Sequence, residues 1–191
     1  MDDFSAAKPD AAVIEFEATV DMLADRQIVR LPAAASAELP SRGQVAVVGT
    51  IDGAPFSTVV EPDGRRGHWI PLDERTPGAA AAEPGTTISF AIAPAAEWPE
   101  PEVPADLGDA LARSPDAAEV WSSTTPMARW EWVRWIGATR NPATRAKRVE
   151  VGISKLESGK RRPCCFDLAS CTDPQLARSG RLPDVDRAPA G

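Results

Sequence analysis

Residues 44–72, QVAVVGTIDGAPFSTVVEPDGRRGHWIPL, decide the fold. Val45–Val48 is apolar on both faces, the pattern of a strand buried on two sides. Asp52-Gly53 follows, the dipeptide that best supplies the positive φ values of a tight hairpin turn. Residues 56–61 are the return strand, with Pro55 confined to a strand start or an edge. Pro62-Asp63-Gly64 is a second turn signal and leads into a third strand at residues 67–72. The stretch therefore reads as a three-strand meander closed by two Asp-Gly turns.

Working outward, residues 13–22 alternate Ile14, Phe16, Ala18, Val20 and Met22 against Glu15, Glu17, Thr19 and Asp21. That period of two predicts a strand with one wet face. QIVRL at 27–31 repeats the pattern, and Pro32 opens a short Ala-rich helical segment to Leu39. Residues 86–93 set Ile88, Phe90 and Ile92 against Thr87, Ser89 and Ala91, giving a last strand. About six short strands fit a small closed barrel better than an open sheet, because closure removes the edges.

Beyond the Pro-spaced connection at 97–104 the pattern turns helical. Residues 106–113 place Leu107, Ala110 and Leu111 at helical spacing. Ser114-Pro115, Thr125-Pro126 and Asn141-Pro142 each pair a capping side chain with a proline at the first helical position. The last helix runs towards Gly159 with Ala146, Val149, Ile153 and Leu156 as its apolar stripe. The expected class is α+β: a barrel domain at 12–96 and a helical region at 104–166. Residues 172–191, rich in Pro, Asp, Arg and Gly without periodicity, are expected to be a disordered tail.

The chain carries a net charge of −7 with a pI near 4.8, one His and no Tyr. Acidity of this size argues against nucleic acid or an anionic membrane as partner of the whole protein. The start, MDDFSAAKPD, lacks a basic segment followed by an apolar run, and no stretch reaches 18 apolar residues, so no secretory signal or membrane span is expected. Three Cys, two of them adjacent, do not make a disulfide framework, and the expected location is the cytoplasm. No cofactor is implied. Cys164, Cys165 and Cys171 lack the paired spacing and fourth ligand of a zinc site. The Cys164–Cys165 pair beside Lys160, Arg161 and Arg162 leaves thiol or soft-metal sensing as an alternative. His68 has no second His and no triad partners in the sequence, which makes a structural role the simpler reading.

Against that acidic background, residues 139–162 hold eight Lys or Arg and two Glu, a local charge of +6 that leaves −13 for the remainder. Just before them, Trp130, Trp132 and Trp135 cover most of a helix with Met127, Val133 and Ile136. A helix apolar all round is normally buried, here between barrel and final helix. The candidate binding residues are Arg140, Arg145, Arg148 and Lys155, backed by Trp130 and Trp135. They would offer a basic face to an acidic protein or an anionic ligand. The competing reading docks these cations on the barrel carboxylates Glu15, Glu17, Asp21 and Glu61.

The segments GTIDGAPF (49–56), VPADLGDAL (103–111), WIGATRNPATRAKRV (135–149) and GKRRPCCF (159–166) resemble the YdeI/OmpD-associated, or bacteriocin-protection, family. The likeness spans about residues 12–166. It implies a double-split β-barrel of unknown function followed by a small helical region, and it brings no catalytic residues with it. Gly137-Ala138-Thr139-Arg140 departs from the Ala-Lys pair that the family places after its Trp-Ile dipeptide. The resulting expectation is a non-enzymatic cytosolic binding or stress-protection protein. The alternative is a small-molecule-binding or enzymatic barrel, with polar groups near His68 and Asp52 and a site between barrel and helices.

Overall fold

In the computed structural model, which describes residues 6–23, 25–72, 76–78, 82–163, 176 and 180–184, the central stretch forms the expected meander. It comprises β3 (Val45–Ile51), β4 (Ala54–Pro62) and β5 (His68–Leu72). Asp52 and Gly53 turn the first hairpin with φ of 48° and 80°, the left-handed pair that matches strand twist. The turn is also tied sideways. The Asp52 amide donates to the Ser89 carbonyl (2.9 Å), and the Ser89 amide donates to Asp52 Oδ1 (2.9 Å). The second turn is organised by Asp63, whose Oδ1 accepts the amides of Arg65 (2.7 Å) and Gly67 (2.8 Å).

Around the meander lie β1 (Ile14–Leu23), β2 (Arg26–Arg30) and β6 (Thr87–Pro94), and α1 (Ala33–Glu38) joins β2 to β3. The six strands close in the order β1-β2-β5-β4-β3-β6, with every neighbouring pair antiparallel. Two long strands make the corners. β1 pairs with β6 through Ile14–Thr19 and with β2 through Val20–Leu23, and β4 passes likewise from β3 to β5. Phe56, Phe90, Ile92, Val47, Val60 and Ile70 fill the interior, so the barrel is a packed core rather than a lumen. At Gly49 β3 approaches β6 so closely that a Cβ would lie 1.9 Å from the Ala91 carbonyl oxygen. Only glycine fits there.

The alternation read along β1 fails at its far end. Met22 is 40% exposed and Asp21 is 4% exposed, because Asp21 lies against Arg30 (3.6 Å). Pro32 is the residue preceding α1 rather than its first residue.

The helical domain contains α2 (Ala105–Ala112), α3 (Pro115–Ser122), α4 (Pro126–Gly137) and α5 (Pro142–Glu157). Ser114, Thr125 and Asn141 cap α3, α4 and α5, each accepting the amide three residues on and each followed by proline. Gly159, at φ 79°, stops α5. The Lys160 amide reaches back to the Lys155 carbonyl (3.0 Å), the hydrogen bond of a Schellman turn. Leu107, Leu111, Ala117, Trp121, Trp132, Ile136, Val149 and Leu156 form a separate core.

α4 joins the two cores. Trp130 and Trp98 pack on the outer barrel face at Ala46, Val48, Val59 and Ala95. Arg134 ion-pairs with the buried Glu61 of β4, and Trp132 is fully buried in the helical core.

Of the C-terminal stretch at 172–191, only residues 176 and 180–184 are among the described residues. Leu176 and Leu182 are buried against Ile28 and Trp69 on the outer face of β2 and β5. The isolated leucines of a Pro- and Arg-rich segment find an apolar surface that the barrel leaves uncovered, so these described parts of the tail are docked.

Candidate functional site

The basic, Trp-bearing region divides into four places. Trp135 is half-buried and meets Trp132 edge-on, with centroids 6.0 Å apart and planes at 83°. Gly152 of α5 lies beneath both rings, where a Cβ would stand 3.8 Å from Trp132 and 3.9 Å from Trp135. From the same helix, Arg148 and Lys155 reach over the Trp135 ring, with their cations 5.7 and 5.3 Å from the centroid. Residues 148, 152 and 155 recur at i, i+4 and i+7, one stripe of an α-helix. Arg148 Nη1 also donates to the Trp135 carbonyl (2.8 Å), in the last turn of α4 where the helix dipole favours a cation. Among the described residues neither Arg148 nor Lys155 is paired with a carboxylate.

Arg145 goes elsewhere. Its guanidinium grips Asp106 of α2 in a bidentate pair (2.7 and 2.9 Å). That hydrogen-bonded pair holds the Asp106 carboxyl below its usual range and raises the arginine. Arg140 is exposed in the loop before α5. Trp130 belongs to the barrel contact, with its Nε1 donating to the Pro99 carbonyl (2.7 Å). Of the six candidates, the fold thus brings Trp135, Arg148 and Lys155 together and sends Trp130, Arg140 and Arg145 to other surroundings.

Among the described residues no ion pair joins Arg145, Arg148 or Lys155 to the barrel carboxylates Glu15, Glu17, Asp21 and Glu61. Glu61 takes Arg134 of α4, and Asp21 takes Arg30 of the barrel itself. The remaining cations of the region are largely committed. Arg162 pairs with Glu131, which is 3% exposed. Arg161 donates to the Ser123 carbonyl (3.0 Å), and its own carbonyl accepts Trp132 Nε1 (3.2 Å). Arg129 bonds Glu100 and the carbonyls of Trp121 and Thr124 that end α3. The Arg161-Arg162 pair therefore closes the helical core.

A groove of about 760 Å³ that the sequence did not announce runs between α2 and α5. Ala110, Ala146, Val149 and Ile153 form its apolar wall, the Asp106–Arg145 pair borders it, and Ser114 donates to Glu157 (2.8 Å) along its rim. The apolar stripe of α5 hinted at it, yet Ala146 is exposed and Ile153 half-buried, because eight-residue α2 covers only part of a sixteen-residue helix.

His68 and Asp52 do not converge. They lie by opposite ends of β4, since His68 pairs with Pro62 while Asp52 precedes Ala54. His68 is 1% exposed, with Nδ1 2.7 Å from Ser36 Oγ and Nε2 3.0 Å from the Gly43 carbonyl. A carbonyl only accepts, so Nε2 carries the proton and the Ser36 hydroxyl donates to Nδ1. Burial pushes the imidazole below its ordinary value. Although Ser36 and His68 are arranged as nucleophile and base, Ser36 is also 1% exposed, and the pair staples α1 to β5 and the loop before β3. Cys164, Cys165 and Cys171 lie outside the described residues. Among the described residues no cluster of three or more metal-ligating side chains occurs, and no helix is long and apolar enough to cross a membrane.

A closed antiparallel barrel followed by a four-helix domain, joined through a Trp-rich helix, defines a two-part architecture. Residues 11–92 match a domain of unknown function, DUF1905, and residues 100–159 match the family described as bacteriocin-protection, YdeI or OmpD-associated. The two matches agree with the resemblance read from the sequence: a barrel that matches a domain of unknown function, followed by a helical region that matches the YdeI/OmpD-associated family. No curated protein matches it.

Proposed function

We propose that this chain is a non-enzymatic binding protein whose helical domain offers the Trp135–Arg148–Lys155 face to an anionic partner, an acidic protein segment. The observation that carries this reading is the pair of cations held over Trp135 without a carboxylate. Arg129, Arg134, Arg145 and Arg162 of the same domain are each ion-paired. Cations preorganised on an aromatic ring cost little ordering entropy when a carboxylate arrives, and the ring adds apolar contact. The α2–α5 groove is the weaker candidate, because Asp106, Arg145, Ser114 and Glu157 along it are bonded to one another. In this reading the protein works in the cytoplasm, and stress protection of the kind named in the family description is its role.

The test is a titration of the full chain with a fluorescein-labelled oligoglutamate peptide, followed by anisotropy. The Arg148→Glu, Lys155→Glu variant should bind at least tenfold more weakly, with a melting temperature within a few degrees of the parent. Arg113→Glu, a reversal just after α2, should bind like the parent. Undiminished binding by the double variant would overturn the proposal, and so would collapse of its fold, which would assign both cations to packing.

A further inference from the structure

The outer face of β2 and β5 is covered by the chain itself. Ile28 and Trp69 are wholly buried there, with Leu23 at the margin, beneath Leu176 and Leu182. Leu182, itself fully buried, is the apolar anchor. Its amide donates to the Asp63 carbonyl (2.9 Å). The next two residues are bound by arginines: Arg30 donates to the Pro183 carbonyl, and Arg65 Nη1 contacts both carboxylate oxygens of Asp184 at 3.0 and 3.2 Å. Arg26 stands over the Trp69 ring (5.8 Å). The barrel thus presents an apolar slot rimmed by three arginines, filled by an extended segment of sequence Leu-Pro-Asp.

We infer that this face is a peptide-docking surface that recognises an apolar residue followed by proline and an acidic side chain. The chain's own residues 180–184 occupy it in cis, and a partner segment of the same chemistry takes it in trans when they leave. Two features support exchange over permanent closure. The Arg65–Asp184 pair is exposed, with Asp184 at 80%, so it contributes little to holding the segment down. Beneath it lies a tryptophan and isoleucine surface that soluble proteins rarely leave bare, which gives a competing segment an apolar anchor site. Recognition through one apolar anchor and a few main-chain and carboxylate contacts is how extended peptides are read on sheet surfaces. Tethering raises the local concentration of the cis segment to roughly millimolar, so a free peptide should bind weakly until the anchor is removed.

The experiment uses the full chain and a fluorescent peptide of residues 176–184. The Leu182→Ser chain should bind this peptide at least tenfold more tightly than the unaltered chain does. A peptide carrying Leu182→Ser should bind neither. If the Leu182→Ser chain binds no better than the unaltered one while melting cooperatively, the segment is a fixed strap and the inference fails. Should that variant not fold, Leu182→Ala takes its place, because it shortens the apolar anchor without introducing a polar group. Its failure to bind the peptide more tightly than the unaltered chain would equally overturn the inference.

Discussion

At the scale of single residues, the one histidine shows how burial fixes a chemical state. His68 gives its Nε2 proton to the Gly43 carbonyl and receives the Ser36 hydroxyl at Nδ1, with neither residue open to solvent. Desolvation lowers its pKa most; the Gly43 carbonyl and the nearby Asp63 act in the opposite direction. The folded chain therefore takes up this proton at lower pH than the unfolded chain, whose imidazole titrates near an ordinary value of about 6.5. The resulting stability is complete above that value, and it is lost as pH falls through the lowered folded pKa. Since the sequence has one His, the signal is clean between pH 7.5 and 5.5. Urea midpoints should decline over this window in the parent and stay flat in His68→Gln, whatever the absolute stability of the variant. A parent with no slope would mean that the imidazole titrates as freely folded as unfolded.

At the scale of elements, α5 allows a prediction that runs against the usual view of a glycine between tryptophans. A Cβ on Gly152 would meet Ile136 at 3.6 Å and Trp132 at 3.8 Å, ordinary van der Waals contacts. Alanine is favoured over glycine inside a helix by about 0.8–1.0 kcal/mol. The helix term should win, so Gly152→Ala is expected to stabilise the chain by about 0.5–1 kcal/mol in urea unfolding, with destabilisation as the contrary result. Elements were also what the sequence disclosed best. Strict alternation in 86–93, the Asp52-Gly53 turn and three cap-plus-proline junctions locate β6, the β3–β4 hairpin and the starts of α3, α4 and α5, because each is a local physical constraint. Facing was less legible. α4 is apolar nearly all round, so nothing local tells that Trp130 meets the barrel while Trp132 enters the helical core and Trp135 lies half-buried at its margin. The site was half-legible for the same reason: charge density marked α5, but only the fold separates Arg148 and Lys155 from Arg145, which Asp106 takes 39 residues away in sequence. Leu176 and Leu182 were illegible, being single leucines without period whose partners lie over a hundred residues earlier.

At the scale of the molecule, the question is whether barrel and helices act as one body, and the answer turns on α4. Glu61 is 6% exposed at the corner where β4 passes from β3 to β5. Its Oε1 accepts Gln44 Nε2 (2.9 Å), and Arg134 of α4 supplies the opposing charge. Trp130 lays its ring on the barrel face nearby. A charge pair buried at a junction adds little beyond what a well-packed apolar pair would, yet removing one partner is costly, because the other charge stays out of water. Arg134→Met should therefore cost about 3–5 kcal/mol, whereas Glu61→Gln with Arg134→Met should cost markedly less, since neither charge is then stranded. The difference is read from urea midpoints as a double-mutant cycle. Calorimetry supplies the molecular consequence. With the junction intact, the two cores should unfold in one transition, and Arg134→Met should split off a lower-melting step for the barrel that the double variant restores to one. If the two substitutions prove additive and no step separates, the junction charge pair plays no part in coupling, and cooperativity between barrel and helices must come from the Trp130 contact alone.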